Sequence, residues 1–207
     1  MGIIDFILHV DVHLGKIIVE YGILTYGILF FVIFAETGFV VTPFLPGDSL
    51  LFAAGMFAAL GSLNIGVLFF LLWAASFLGD NSNYWIGHFF GQKIVDNHRI
   101  PIKQSHIDKT QTFFQEHGKQ TMILARFMPI IRTFAPFVAG IGKMKYRDFV
   151  LFSFIGGLSW ISIFVLAGYF FGNIPLVRDN FSAVIMLVIA VSVLPAVIKI
   201  IMHKLKK

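Results

Sequence analysis

Cysteine is absent from this chain of 207 residues. Disulfides and thiolate metal sites are therefore excluded. Charge is scarce: 13% of the residues are Asp, Glu, Lys or Arg, roughly half of what an ordinary soluble domain carries. Enzyme signatures are missing as well. There is no Gly-x-Ser-x-Gly, no His-Glu-x-x-His, no phosphate-cradling P-loop and no nucleotide fingerprint. We read the chain as a non-enzyme with no catalytic residues, no cofactor and no metal. A cleavable leader is not expected either. Asp5 and Asp11 stand where a signal peptide would have a basic start and an oily core.

What the sequence has is oil. Hydrophobic residues make up 57% of it, 25 of the residues are phenylalanine, and the mean hydropathy is +0.85. Residues 49–79, 149–177 and 180–198 carry no charge at all. A helix crosses a bilayer with about 20 apolar residues. The fold class is therefore all-α and polytopic, set in a membrane. The formal charge of +5 lies mostly in loops and tail. In such a protein it reports topology, and nucleic acid is not an expected partner.

Residues 1–20 place apolar side chains on one face at helical spacing, so an amphipathic interfacial helix is predicted there. His9 and His13, with Asp5 one turn earlier, have the spacing of a metal site. They equally make a polar face toward headgroups, which is the reading adopted. Residues 21–207 form one membrane domain. Within it, an interrupted segment over about 22–60 breaks at Pro43-Phe44-Leu45-Pro46-Gly47-Asp48. Full spans are expected over 65–91, 149–171 and 181–201. Gly87 and Gly91 have the spacing that lets helices approach closely. A basic loop over 92–120 holds a short amphipathic helix over 108–117, with Phe113 and Phe114 against the membrane and Gly118 as its stop.

A second interrupted segment over about 120–142 contains Arg126, Pro129, Arg132, Pro136 and Gly140. Basic residues flank it on both sides, so it enters and leaves at one face. That parity predicts a re-entrant hairpin. Pro43…Phe52-Ala53-Ala54-Gly55 echoes Pro129…Phe137-Val138-Ala139-Gly140. Each hairpin precedes a span, which suggests an inverted repeat around a central site. The lysines at 199, 204, 206 and 207 place the C-terminus in the cytoplasm.

An arginine at the centre of a transmembrane helix costs about 2.5–3.5 kcal/mol, so it faces protein or a wet cavity. Arg126 and Arg132, six residues apart, diverge on a straight helix. A break at Pro129 would let them converge on a phosphate or carboxylate. The structural alternative is that they pair with Glu36 and Asp48 to hold the hairpins together. Two such acids brought close in a low-dielectric cavity would hold a proton between them, a natural coupling device. Asp80 faces the site, caps a helix or sits near the water interface. Trp73, Trp85 and Trp160 are read as interfacial anchors or packing.

These residues carry a resemblance. Glu36 before Pro43-Phe44-Leu45-Pro46-Gly47-Asp48, then Gly79-Asp80…Tyr84…Gly87…Gly91, then Arg126-Phe127-Met128-Pro129…Arg132…Pro136…Ala139-Gly140, and finally Ser159-Trp160 and Gly168-Tyr169…Gly172 resemble the DedA family, also called SNARE-associated or VTT-domain membrane proteins. The similarity runs from about Tyr21 to Gly172. It implies two re-entrant hairpins in an inverted repeat, a bacterial cytoplasmic membrane, and translocation of an anionic phospholipid or a polyprenyl phosphate such as undecaprenyl phosphate. It implies importance for Glu36, Asp48, Arg126 and Arg132. Asp48 stands where many relatives have glutamate, and His88 where arginine is common.

The expected activity is a proton-coupled lipid translocase. The phosphate would sit on Arg126 and Arg132, with Glu36 and Asp48 carrying protons and Asp80 a secondary candidate. Pro43, Pro46, Gly47, Pro129, Pro136 and Gly140 would shape the hairpins. Expected partners are membrane lipids, protons and a second copy of the chain. The alternatives are a proton-driven exporter of small cations and a scaffold that transports nothing.

Overall fold

The computed structural model describes residues 10–39, 47–95 and 104–172, with scattered positions between 174 and 187. Pro43, Pro46, Asp5, His9, the lysine-rich tail and most of the expected C-terminal span lie outside the described residues. All regular structure among the described residues is helical. Helix α1 is Val10–Tyr21, α2 Leu24–Gly38, α3 Gly47–Ala59, α4 Ile65–Val95 and α5 Gln104–His117. A 3-10 turn (Gly118–Gln120), the single turn α6 (Thr121–Leu124) and a second 3-10 turn (Ala125–Phe127) follow. The chain then runs through α7 (Pro129–Ile141) and α8 (Tyr146–Phe171). Two stretches are long and apolar enough to cross a membrane: Ile65–Gly91, with mean hydropathy 1.4, and Tyr146–Phe171, with 2.2. Helix α8 begins three residues earlier than the sequence predicted, and α5 four residues earlier.

The chain forms two compact units. One comprises residues 1–31, 46–72 and 161–207. In it, Gly22 takes a φ of +50° and turns α1 into α2. Helix α3 is apolar on all sides and correspondingly buried almost throughout. Gly47, expected in the preceding turn, is its first residue, and Asp48 supplies a carboxylate to its first turn. Gly15 brings α1 against the Phe57 ring of α3. The side chain of Asn64 accepts from the Val67 N–H at 3.1 Å and so starts α4. Helix α3 crosses α8 at two glycines. A Cβ on Gly55 would overlap the Val165 carbonyl, and one on Gly168 would overlap the Phe52 carbonyl.

The other unit comprises residues 32–45 and 73–160. Here α7 crosses α4 in the same manner. A Cβ on Gly140 would overlap the Tyr84 carbonyl, and one on Gly87 would overlap the Phe137 carbonyl. Gly91 meets Ile141 here, as Gly172 meets Met56 in the first unit. Gly140, expected to shape a hairpin, makes this close approach to α4. Pro136, expected to help shape the hairpin, lies inside α7. It withholds only the N–H that the Arg132 carbonyl would take in a regular helix. Phe113 also departs from expectation. It packs into a core with Tyr84, Met122, Ile131 and Phe149 instead of facing lipid. Gly118, with φ +57°, ends the regular helix, as its position in the sequence suggests.

Candidate functional site

The interruption between α6 and α7 positions the arginines. Residues 125–127 tighten into a 3-10 turn, Met128 is extended (φ −126°, ψ 103°), and Pro129 restarts the helix at its first position. Proline fits there because the first N–H groups of a helix have no partner within it. The extended residue breaks the 3.6-residue periodicity between positions 126 and 132. Both guanidiniums therefore meet one indole: the Trp160 ring lies 5.7 Å from the Arg126 Cζ and 4.9 Å from the Arg132 Cζ.

Each arginine is ion-paired. Arg126 Nη2 donates to Asp80 Oδ2, and its Nη1 to Ser76 Oγ. Ser153 Oγ donates to the same Asp80 oxygen. Arg132 Nη2 donates to Glu36 Oε1. Glu36, Ser76, Ser153 and Trp160 are fully enclosed, and Asp80 and Arg126 are each 3% exposed. Charges this deep are tolerated only when paired and hydrogen-bonded. Small residues make the room. A Cβ on Gly157 would stand 3.4 Å from Arg126 Nη2, and one on Gly156 3.1 Å from the Met122 carbonyl. Asn83 Nδ2 donates to the carbonyls of Thr37 at 3.1 Å and Thr133 at 2.9 Å, which ties α4 to α2 and α7.

The structure thus brings together Glu36, Asp80, Arg126 and Arg132. Asp80 is an inner member of the set, which settles the three positions open to it. Arg126 pairs with Asp80, whereas the sequence offered Glu36 and Asp48 as the structural partners. Asp48 belongs to the other compact unit. Trp160, read from the sequence as an interfacial anchor or packing, is fully enclosed and forms the floor beneath both guanidiniums. No cluster of His, Asp and Glu suited to a metal occurs among the described residues.

Sequence reasoning missed Ser76, Asn83, Ser153 and Trp160. The signal was present in spacing. Ser76, Asp80 and Asn83 recur at four and three residues along α4, and Ser153, Gly157 and Trp160 at four and three along α8. Each set is one stripe along its helix. Chemically, the arrangement is a neutral set of two fork-shaped donors and two carboxylates. Displacing either carboxylate frees a guanidinium for bidentate contact with an oxyanion.

A family model described as the VTT domain matches residues 45–170. Protein DedA of Escherichia coli K12 is 54% identical over 205 residues, covering 98% of this chain and 94% of that protein. A membrane protein of Mycobacterium leprae is 41% identical over 81% of this chain and 75% of its own length. Inner membrane protein YqjA of Escherichia coli K12 is 31% identical over 72% and 69%. No solved structure matches.

Proposed function

This chain belongs to the DedA family of VTT-domain membrane proteins, and on that footing we propose that it moves an anionic lipid across the bacterial inner membrane. The observation that carries the reading is the pair of buried guanidinium–carboxylate contacts over one indole. Nothing in packing alone calls for four charges there. Hydrophobic residues of similar volume would be as stable or more so. A phosphate headgroup would displace Glu36 from Arg132, or Asp80 from Arg126, and take both N–H groups of the fork. The acyl or prenyl tail would stay in the bilayer.

The reading includes a coupling device. The two arginines and two carboxylates sum to zero charge. A phosphate that enters adds negative charge to an enclosed space, and the released carboxylate then favours its protonated form. Glu36 would be the acid that does this, with Asp48 as a second proton carrier. The chain would be an inverted repeat of two re-entrant segments, with its C-terminus in the cytoplasm. Matching glycine contacts in the two compact units support this: Gly55 with Gly168 in one, Gly140 with Gly87 in the other. Phe52 and Phe137 supply equivalent carbonyls, as the sequence echo suggests.

The test uses proteoliposomes that carry a fluorescent phosphatidylglycerol or polyprenyl phosphate. Headgroup exposure is followed with an impermeant quencher. Arg126→Ala should abolish protein-dependent transfer. Arg132→Lys keeps the charge and loses the planar fork, and should slow transfer by about tenfold or more. Wild-type rates in both variants would refute the assignment.

A further inference from the structure

Asn83 is fully enclosed within α4. The side-chain donors of its polar neighbours in sequence bond locally. Asn81 Nδ2 donates to the Phe77 carbonyl at 2.7 Å, and Ser82 Oγ to the Leu78 carbonyl at 2.9 Å, each four residues back. Asn83 does otherwise. Both donors of its amide leave the helix, one to Thr37 at the end of α2 and one to Thr133 in the first half of α7. Each accepting carbonyl belongs to the residue directly after a member of one ion pair, Glu36 and Arg132. The amide orientation follows from these acceptors, since a flipped group would set oxygen against two carbonyls. Its Oδ1 is buried, and no donor among the described residues reaches it. An apolar residue would avoid that desolvation. The asparagine is accounted for by what its donors hold.

We propose that Asn83 is the positioning residue of the Glu36–Arg132 pair. One amide fixes the backbone next to the carboxylate and the backbone next to the guanidinium, so α4 sets the register of α2 against α7. While both bonds stand, Glu36 and Arg132 have little room to part. Letting go of one carbonyl is the step that frees them. Under the lipid-transfer reading, on which this consequence rests, that step opens Arg132 to a phosphate.

The natural absence of cysteine makes the test direct. A single Thr37→Cys reporter in the detergent-solubilised full chain is titrated with N-ethylmaleimide. A Met122→Cys reporter, buried in the same unit and not among the amide's acceptors, serves as control. Asn83→Leu should speed labelling at position 37 by about tenfold while leaving position 122 within about twofold. Asn83→Ser, whose shorter hydroxyl bonds back to its own helix as Ser82 does, should speed position 37 as the leucine variant does. Equal acceleration of both reporters, or none at position 37, would overturn the proposal. Should the leucine variant not fold, the serine variant decides by the same comparison. No lipid substrate enters this experiment. Its failure would leave the transfer reading standing, and failure of transfer would leave the role of Asn83 standing.

Discussion

Removing Asp80 alone should be far more damaging than removing Asp80 and Arg126 together. Asp80→Ala leaves the guanidinium of Arg126 enclosed, with Ser76 Oγ on α4 still accepting one hydrogen bond from it. Breaking a buried pair from one side costs about 3–5 kcal/mol, because the surviving charge is desolvated without compensation. Ser76 retains one hydrogen bond to the guanidinium, which places the expected cost near the lower end, about 3 kcal/mol. For a chain of this size that is a fall of roughly 6–12 °C in the unfolding midpoint. The double variant Asp80→Leu/Arg126→Met removes both charges and fills the space with apolar groups. It should unfold within about 3 °C of the wild type, or above it. The assay is thermal unfolding in a fixed detergent, followed by the fraction that elutes as a monodisperse species. In proteoliposomes the double variant should still fail to move lipid, since the fork of Arg126 is gone. Stability and transfer would thus separate in one protein. The reasoning fails if Asp80→Ala costs less than about 1 kcal/mol, the level of an exposed pair, or if the double variant is as unstable as the single one.

The glycine crossings should be equally intolerant in both halves. Gly168→Ala and Gly140→Ala each drive a methyl into a main-chain carbonyl of the facing helix. Each should destabilise by about 1–3 kcal/mol in the same unfolding assay. Gly27→Ala, with open space around it in α2, should be neutral or slightly stabilising. Trp160→Phe keeps an aromatic floor but weakens its negative face and leaves a void. A loss of about 1–2 kcal/mol is expected, with lipid transfer reduced at unchanged folding yield.

The class of the protein was legible in composition, because oil over 20-residue lengths has few physical outcomes. The long spans, the Gly118 stop and the close-packing glycines at 87 and 91 were legible too. Each follows from local rules: helical rise against bilayer thickness, backbone freedom at positive φ, and the absence of a Cβ. Glu36, Arg126 and Arg132 were also visible as charges in largely apolar stretches, whereas Asp80, next to Asn81-Ser82-Asn83, left three positions open. Their partners were not visible. Asp80 lies 46 positions before Arg126, and Glu36 lies 96 before Arg132. No periodicity within a single helix encodes such a match. Asn83 and Trp160 passed as ordinary polar and aromatic residues for the same reason.

The sequence by itself determined that helices form, where most of them stop, and that fixed positive charge lies within an oily stretch. Tertiary structure alone decided which acid meets which arginine, that Trp160 lies beneath both, and that Asn83 binds the backbone beside one of the pairs. Local propensity acts over a few residues, whereas ion pairing and burial depend on which faces of distant helices are pressed together.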